Sequence, residues 1–527
     1  MTDLTSHPKV DEKHNIEGTN KPSVWVIAGS DCSGGAGIQA DIKTMHNLGM
    51  SAGIDVCTVI TAVTAQNRFG VNEINAMSDE VILSQLKALE QDKPAQVIKI
   101  GLLANKQQVE LVAQQLSHFK SHWQNKPYVI YDPVAVASNG GNLTEDDILP
   151  LIKEQLLPWV DLITPNGQEV QKLTGVYAFS WDCLKTAAQK LLSLGVSACI
   201  IKGGHIDIAD NKSVDFYSDC QHQQYWLSSE RIKTKNSHGT GCTFASAIAA
   251  LLAQGYLIRD AFVIAKAYIN QGLNAVKDQQ SYSAIWQGYW PEHIHDYPEV
   301  LVAGSDLATA IDWQASEQAF CSNFKTVNTD KLGLYPVIDS VKWLERLLKA
   351  GVKTIQYREK HLKGDALEES IKEAVNVGKT YQARLFINDH WQLAIKHNAY
   401  GVHLGQEDLE SADLEHIKQA GLRLGISTHG VYELLKVKQY QPSYLAVGAI
   451  FPTKTKDMTG QIQGINTLAR LVKLNPTIPM VAIGGITLEK AASVIDTNVD
   501  SIAVVTAITE AENPELAVEQ FQQLFDS

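Results

Sequence analysis

The sequence predicts an α/β protein in two parts, an α/β/α layered domain over residues 23–280 and a (β/α)8 barrel over residues 331–527. Three observations lead to this prediction. A chain of 527 residues is too long for one ordinary hydrophobic core. Short apolar runs alternate with helical periodicity from Val24 to about Lys277, and a more regular strand-then-helix rhythm begins at Gly333.

The predicted strands of the first part are continuous apolar runs. They are "VWVIAG", "AQVIKIGLL", "PYVIYDPV", "DLITPN" and "SACIIKGG". Helical patterns such as "DEVILSQLKALEQ" and "DCLKTAAQKLLSLG" separate them, which indicates a mostly parallel sheet covered by helices. Two runs with polar alternation, "SVDFYSD" and "QQYWLSSERI", predict a small antiparallel edge that precedes the final helices.

The second part contains eight strand-then-helix units. Their strands are "LYPVID", "KTIQYRE", "RLFIND", "GVHLG", "LRLGIST", "YLAVGAI", "MVAIGGI" and "SIAVVTAI". Such a count matches a closed barrel, in which functional side chains lie at the carboxyl ends of the strands and in the loops that follow. The segments at those ends are "QYREK", "IND", "HLGQED", "STH", "FPTKTK", "GG" and "VVT".

Two stretches lie outside these domains. Residues 1–22 are polar and lack the apolar core of a secretory signal, so they are predicted to form a disordered N-terminal tail. Periodicity fades over residues 281–330, where "YWPEHIHDYPEV" has neither a helical nor a strand period. This stretch is predicted to be a linker or a covering segment.

The bulk composition excludes several classes of function. A net charge of -13 without a concentrated basic patch argues against nucleic acid and anionic membranes as main partners. No apolar run is long enough to span a bilayer. The seven cysteines are scattered and form no C-x-x-C pair, which favours reduced thiols in a cytoplasmic protein over a disulfide framework or a zinc site.

Two Gly-rich turns in the first part are candidates for ligand binding. The stretch "AGSDCSGGAGIQADIKT" joins a strand to a helix and matches neither the dinucleotide fingerprint nor the P-loop, so alone it fits a plain tight turn equally well. In "HGTGC", the amides of Gly239, Thr240 and Gly241 precede a helix, where unpaired donors and the positive end of the helix dipole favour phosphate oxygens.

Together with "TPNGQE" and "IKGGH", these motifs resemble the ribokinase-like superfamily over residues 23 to 280. Within it they are most similar to hydroxymethylpyrimidine/phosphomethylpyrimidine kinase. The resemblance implies ATP-dependent phosphorylation of 4-amino-5-hydroxymethyl-2-methylpyrimidine, first to its phosphate and then to its diphosphate. The family commonly has Ala-Lys-Ser-Gly in a loop where this sequence has "VASNGG", and the missing lysine removes a possible phosphate contact during the second phosphorylation.

The resemblance also implies a set of site residues. Those matching pyrimidine contacts are Gly29, Ala36, Gln66 and Val134, and those matching ATP or phosphate contacts are Asn166, Glu169, Lys202, Gly239, Thr240 and Gly241. Asn166 and Glu169 would organise magnesium and the ATP phosphates, although a helix cap and its partner are the alternative. Asp41, in "QAD", has either a direct role or that of a solvated or capping aspartate.

Cys242 is the predicted catalytic residue of the kinase. Related sugar kinases place an aspartate there as general base, and this kinase family has a cysteine. A helix N-terminus is expected to lower the pKa of Cys242 enough to give a thiolate. The alternatives are a buried inert cysteine and a residue that only shapes the phosphate cradle.

In the barrel, alternation along the second strand places Gln356, Arg358 and Lys360 on one face, where two cations favour a bound anion. Asp389 and Asp408 follow two adjacent strands and form a reasonable site for a hard cation. Together they predict a pocket for a magnesium-bound diphosphate, with a surface salt-bridge network as the alternative. The loops "AIGGI" and "VVT" after the last two strands predict a second phosphate site.

These motifs resemble thiamine phosphate synthase, a TIM barrel, over residues 332 to 525. By that resemblance the pyrimidine diphosphate is held by Gln356, Tyr357, Arg358, Glu359, Lys360, Asn388, Ser427 and Lys456, and the thiazole phosphate by Thr453, Lys454, Thr455, Gly485, Val505 and Thr506. Asp389 and Asp408 are the implied magnesium ligands. Thr506 stands where serine is usual and retains the hydroxyl. The implied chemistry is dissociative, with Arg358 and Lys456 as catalytic residues that stabilise the leaving diphosphate.

The whole sequence therefore predicts a bifunctional thiamine-biosynthesis transferase. Its small-molecule substrates would be hydroxymethylpyrimidine, ATP and hydroxyethylthiazole phosphate, with Mg2+ as cofactor, and a homodimer through the kinase sheet is possible. One alternative is a pyridoxal-type vitamin kinase fused to a non-catalytic, synthase-like regulatory barrel. In another, either part is a ligand-binding module without activity.

Overall fold

The computed structural model describes residues 21–49, 53–67, 70–134, 148–206, 208–209, 211–280, 284–313, 320–329, 332–453 and 462–526. Contacts divide these residues into two compact units. The first comprises the described residues up to Pro291, with His295–Leu301 and Ala310–Trp313. The second comprises Glu292–Ile294, Val302–Thr309 and the described residues from 320 onward. Residues 1–20 of the predicted tail lie outside the described residues.

The first unit is built on one mixed sheet. Its strands are β1 Ser23–Asp31, β2 Asp55–Asn67, β3 Gly70–Ala76, β4 Val97–Ile100, β5 Tyr128–Tyr131, β6 Leu162–Ile163, β7 Ala198–Ile201, β8 Lys212–Asp219, β9 Gln224–Glu230 and β10 Glu299–Val300. The helices are α1 Gly37–Gly49, α2 Asp79–Asp92, α3 Lys106–His122, α4 Leu149–Leu151, α5 Gly167–Thr174, α6 Trp181–Ser193, α7 Thr240–Ala253 and α8 Ile258–Val276. A π-helical turn, Ile152–Leu156, and short 3₁₀ turns at Leu157–Trp159, Gly203–His205 and Ile294–Asp296 complete it.

The strand order is β10-β9-β8-β7-β6-β5-β4-β1-β2-β3. The strands from β7 through β4 to β1 and β2 run parallel, whereas β8, β9 and β10 form an antiparallel edge and β3 pairs antiparallel with β2. Strands β4 and β7 are buried along their whole length, as expected for parallel strands covered on both faces. The predicted parallel core and antiparallel edge are confirmed. Strands β2, β3 and β10 were not among the predicted elements.

The second unit is a closed barrel of eight parallel strands, in the order of the chain. They are β11 Gly333–Ile338, β12 Thr354–Tyr357, β13 Arg384–Asn388, β14 Gly401–Leu404, β15 Arg423–Thr428, β16 Tyr444–Val447, β17 Met480–Ile483 and β18 Ser501–Val504. The helices are α9 Asp306–Ala310, which precedes the barrel, and α10 Val341–Lys349, α11 Gly364–Thr380, α12 Trp391–Lys396, α13 Gln406–Ser411, α14 Leu414–Gln419, α15 Val431–Val437, α16 Gly464–Leu474, α17 Leu488–Ile495, α18 Thr506–Thr509 and α19 Pro514–Asp526. A 3₁₀ turn, Lys438–Tyr440, follows α15. All eight predicted barrel strands are confirmed.

Large side chains fill the barrel interior. Tyr335, Phe386 and Tyr444 belong to one buried cluster, and the hydroxyls of the two tyrosines lie 2.7 Å apart. Val327, from the segment predicted as a linker or cover, joins this cluster. The backbone of Lys325 accepts a hydrogen bond from Ser443 at the amino end of β16. This end of the segment thus packs on the barrel, while β10 of the same segment extends the sheet of the first unit.

Two features of the described residues concern membrane-spanning helices and thiols. No described helix is both long and apolar enough to cross a membrane. All seven cysteines lie within the described residues, and each is free.

The neighbouring glycines Gly203 and Gly204 offer a matched test of packing in the first unit. A Cβ on Gly203 would lie 1.8 Å from the carbonyl oxygen of Val214, whereas a Cβ on Gly204 meets nothing within 4 Å. Gly203→Ala should lower the free energy of unfolding by about 1–3 kcal/mol, because β8 must move away. Gly204→Ala should change it by less than about 0.5 kcal/mol. Chemical denaturation of both variants measures this, and equal losses would contradict the packing.

Candidate functional sites

The first unit holds a cavity of about 600 Å³ at the carboxyl ends of its parallel strands. Every residue predicted for the kinase site lines it: Gly29, Ala36, Gln66, Val134, Asn166, Glu169, Lys202, Gly239, Thr240, Gly241 and Cys242. These residues come from six separate stretches of sequence. The cavity is large enough for small ligands, since pockets of about 300–1,000 Å³ are typical for them.

The two Gly-rich turns pack against each other at the cavity wall. Gly239 has a φ of 84°, and a Cβ there would lie 1.9 Å from the carbonyl oxygen of Gly35. Gly37 has a φ of 57° and would clash in the same way with the carbonyl oxygen of Gly29, 2.3 Å away. Only glycine permits both conformations and both close approaches. Helix α7 begins at Thr240, whose amide donates to the carbonyl oxygen of Ser237 at 3.2 Å. The rest of its first turn, Gly241 and Cys242, also lies at the cavity lining, where helix N-terminal amides favour an anion.

Cys242 lies in the first turn of α7, but its predicted pKa shift is wrong. Burial raises the pKa of the thiol to about 11. The Lys99 charge lowers it, while the carboxylates of Asp41 and Asp132 raise it further. Desolvation therefore dominates, and the thiol is protonated at neutral pH.

Asn166 and Glu169 form the helix cap that was the alternative to a binding role. The Asn166 side chain accepts hydrogen bonds from the amides of Gln168 and Glu169, and the Glu169 carboxylate accepts from the Asn166 amide at 2.7 Å. Glu169 also lies 4.0 Å from the ammonium of Lys202. Burial raises the pKa of Glu169 to about 7. The Lys202 charge lowers this pKa, and the Asp132 charge raises it. The capping box thus fixes both side chains at the cavity wall.

Sequence reasoning missed Asp132. This buried carboxylate accepts hydrogen bonds through Oδ1 from Lys202 at 2.8 Å and Thr164 at 3.1 Å. Its Oδ2 has no hydrogen-bond partner among the described residues and would lie 3.2 Å from a Cβ on Gly241. An aspartate directly after the apolar strand "YVIY" was the available signal.

Asp41 is neither solvated nor a helix cap, and those expectations are wrong. Its carboxylate is fully buried and accepts from the Lys99 ammonium at 3.0 and 2.9 Å and from the Ser246 hydroxyl at 2.6 Å. Lys99 lines the cavity, whereas Asp41 does not. His238, also missed, lies at the lining with its ring 3.1 Å from the Asp31 carboxylate.

The mouth of the barrel brings the two predicted metal ligands together. Asp389 follows β13 with a φ of 62°, and Asp408 lies in the first turn of α13. Burial, the Asp408 charge and a hydrogen bond between the two carboxyl groups raise the pKa of Asp389 to about 6, which Arg358 opposes. Two carboxylates that repel each other in this way are a suitable donor pair for a divalent cation. The described residues contain no group of three or more His, Cys, Asp or Glu side chains that could hold a metal.

The residues predicted to bind the diphosphate differ in where their side chains lie. Gln356 and Asn388 are buried at the ends of their strands, and Arg358 follows β12. The side chain of Tyr357 instead points toward α11, where its hydroxyl lies 2.6 Å from that of Ser370. The Glu359 carboxylate accepts hydrogen bonds from the backbone of the loop that follows it. The side chains of Tyr357 and Glu359 therefore serve the protein's own packing.

Ser427 belongs to a hydrogen-bonded chain that reaches into the barrel. Its hydroxyl lies 2.9 Å from Nε2 of His403, and Nδ1 of His403 lies 2.7 Å from the hydroxyl of Tyr444. Burial, Arg358 and His429 lower the pKa of His403 to about 3, so its ring is neutral. His403 was not among the predicted site residues, although it lies within the predicted strand "GVHLG".

The predicted thiazole phosphate loops lie after β17 and β18. Gly485 has a φ of 64°, and a Cβ there would lie 2.4 Å from the carbonyl oxygen of Pro452, next to Thr453. Val505 and Thr506 begin the short helix α18. The predicted residues Lys454, Thr455 and Lys456 lie outside the described residues, as does the "VASNGG" loop of the first unit.

Two family models match the two units in turn. The one described as "Phosphomethylpyrimidine kinase" matches residues 31–285, and the one described as "Thiamine monophosphate synthase" matches residues 334–508. The "Thiamine biosynthetic bifunctional enzyme TH1, chloroplastic" of Arabidopsis thaliana is 33% identical over 513 residues, which cover 93% of this chain and 90% of that protein. The chain belongs to the family of bifunctional thiamine biosynthetic enzymes.

Two further likenesses each cover one part of this thiamine biosynthetic enzyme. The thiamine-phosphate synthase of Yersinia pestis (strain Pestoides F) is 57% identical over 196 residues, 37% of this chain and 91% of that protein. A solved structure of Bacillus subtilis pyridoxal kinase with ADP is 28% identical, with a TM-score of 0.44, and covers 51% of this chain and 98% of its own. The family models and the Arabidopsis relative show that the enzyme carries a phosphomethylpyrimidine kinase domain and a TIM-barrel thiamine phosphate synthase domain, and both are transferases.

The raised pKa of Cys242 predicts slow alkylation. With a pKa of about 11, the fraction of thiolate at neutral pH should be about two orders of magnitude below that of an ordinary cysteine. Iodoacetamide should therefore modify Cys242 far more slowly in the folded enzyme than in the same chain unfolded in urea, and the folded rate should still rise with pH at pH 9. Mass spectrometry of the peptide that contains Cys242 measures both rates. A folded rate that levels off near neutral pH would contradict the raised pKa.

Proposed function

We propose that this enzyme makes thiamine phosphate from free hydroxymethylpyrimidine in two stages. The kinase domain uses ATP to convert the pyrimidine to its phosphate and then its diphosphate. The synthase domain joins the diphosphate to hydroxyethylthiazole phosphate and releases pyrophosphate. The observation that carries the first stage is the single cavity lined by all residues that match the kinase motifs. For the second stage it is the pairing of Asp389 with Asp408 beside Arg358.

In the kinase step, the hydroxymethyl oxygen attacks the γ-phosphorus of ATP, a new P–O bond forms and ADP leaves. The amides at the start of α7 and the ammonium of Lys202 would stabilise the transferring phosphoryl group. The hydroxyl proton passes to the sulfur of Cys242. Only the thiolate can accept it, and the raised pKa makes the thiolate the minor form at neutral pH. The alternative, that Cys242 only shapes the cradle, predicts no pH dependence from this thiol.

In the coupling step, Asp389 and Asp408 would hold Mg2+, and their mutual repulsion is a reason for them to accept a divalent cation. The ion supplies positive charge for the diphosphate leaving group when bound. Arg358, Lys360 and Asn388 would bind the diphosphate oxygens, and Ser427 the pyrimidine end. Lys456 would add a further charge at the leaving group. The loops at Thr453, Gly485 and Thr506 would bind the thiazole phosphate.

We also propose a cytoplasmic location and assembly as a homodimer through the kinase sheet. The seven free cysteines support a reducing compartment. The dimer stays a prediction of the sequence analysis, and size-exclusion chromatography with light scattering would test it.

One assay tests the two-stage function. The purified chain is supplied with hydroxymethylpyrimidine, ATP, magnesium and hydroxyethylthiazole phosphate, and thiamine phosphate is expected as the product. Adding the pyrimidine diphosphate directly tests the synthase stage alone. If pyridoxal is phosphorylated and the hydroxymethylpyrimidine is not, the kinase assignment is wrong. If neither mixture yields thiamine phosphate from a folded chain, the proposal fails.

A crossed pair of variants tests whether the two stages use separate sites. Cys242→Ala should abolish phosphorylation and leave coupling of the supplied diphosphate unchanged. Asp389→Asn should reduce coupling by about 100-fold or more, because the metal loses a charged ligand, and leave phosphorylation unchanged. Both rates are measured on each variant. Loss of both activities in either variant would contradict the separation.

A further inference from the structure

A buried cation lies beneath the kinase cavity. Lys99, on β4, and Asp41, on α1, have fully buried side chains and form an ion pair at 2.9 Å. Ser246 donates a third hydrogen bond to the same carboxylate at 2.6 Å. Three hydrogen bonds from two elements thus fix the Asp41 carboxylate, and the carboxylate fixes the ammonium of Lys99.

This cluster connects directly to the turn that carries Cys242. Ser246 lies four residues after Cys242 on α7, so the two side chains share one face of the helix. Asp41 lies four residues after Gly37 on α1, and the Gly37 backbone forms a hydrogen bond with the Cys242 sulfur. Lys99 and Cys242 both line the cavity. A Cβ on Gly101 would lie 3.2 Å from the Lys99 nitrogen, so a glycine leaves room for the ammonium there.

We propose that Lys99, held by Asp41 and Ser246, is a positioning residue whose charge sets how readily Cys242 gives up its proton. The proposal rests on the kinase function above, and it assigns the buried pair a role in the proton transfer. Lys99 does not itself need to touch the pyrimidine or ATP.

The charges around Cys242 make the sign of this effect testable. The ammonium groups of Lys99 and Lys202 favour the thiolate, and the carboxylates of Asp41 and Asp132 oppose it. Burial lowers the pKa of Lys99. The nearby Asp41, Cys242 and Asp132 raise it more, to above its usual value, so the ammonium persists. Removing Lys99 should therefore raise the pKa of the Cys242 thiol, and removing Asp41 should lower it. If the pair were only structural, the loss of either partner would shift the pKa in the same direction.

The experiment is the pH profile of Cys242 alkylation by iodoacetamide, followed by peptide mass spectrometry on the full chain. In Lys99→Met the profile should move to higher pH by about one unit, a tenfold loss of thiolate at a given pH. In Asp41→Asn it should move to lower pH. The exposed Cys220 of the same chain reports any general change in reactivity and should keep one profile in all variants.

A second buried lysine provides the matched control. Lys266 also lines the cavity and forms an ion pair with a buried partner, Asp215, at 2.9 Å. Unlike Lys99, it is not among the largest influences on the pKa of Cys242. Lys266→Met should therefore leave the Cys242 profile in place although it breaks a comparable pair.

Two results would overturn the proposal: an unchanged profile in Lys99→Met, or a shift of the same direction in Lys99→Met and Asp41→Asn. If a single variant does not fold, the double variant Lys99→Met/Asp41→Asn removes both charges and should give a smaller upward shift than the loss of Lys99 alone. No shift in the double variant counts against the proposal. Because alkylation needs no substrate, the result stands even if the enzyme fails to phosphorylate hydroxymethylpyrimidine, and that failure would concern the proposed function alone.

Discussion

Both domains depend on one geometric constraint, the common direction of parallel strands. In a parallel sheet or barrel, every strand delivers the residue after its carboxyl end to the same edge. Six stretches of the kinase sequence therefore meet in one cavity, and the residues after β12, β13 and β14 meet at the mouth of the barrel. The residues of each site therefore come from short segments far apart in the sequence. The apolar strands that precede these segments fix the distances between them.

Burial of charge distinguishes these sites from ordinary surface. In the pairs Lys99–Asp41 and Lys202–Asp132, the carboxylate is almost wholly out of solvent. Such pairs are weak evidence for stability, because desolvation offsets their attraction, but removing one partner costs about 3–5 kcal/mol. Replacing a buried ion pair by well-packed apolar side chains of similar volume is often neutral or stabilising. A role in setting the charge within the cavity is therefore a better account of these residues than stability is.

The fold could be predicted from the sequence where apolar runs have a clear period. All barrel strands and the parallel strands β4 to β7 belong to this class. The strand β2 was missed because its exposed and buried residues mix, and the two residues of β10 are too few to show a period. Site residues were predicted where a motif resembled a known family. Asp132, Lys99 and His403 were missed because their importance lies in contacts with distant side chains, which spacing along the chain does not reveal.

The pKa of Cys242 shows why the sign of an electrostatic effect needs three dimensions. From sequence, the only visible influence was the helix N-terminus, which favours a thiolate. The fold adds desolvation and two carboxylates against it, and a buried lysine in its favour. ATP and its metal would bring further charge to the same cavity, where charges of both signs already act on the thiol. The sign of the shift therefore follows from which groups the fold places around the thiol, and not from its position on the helix alone.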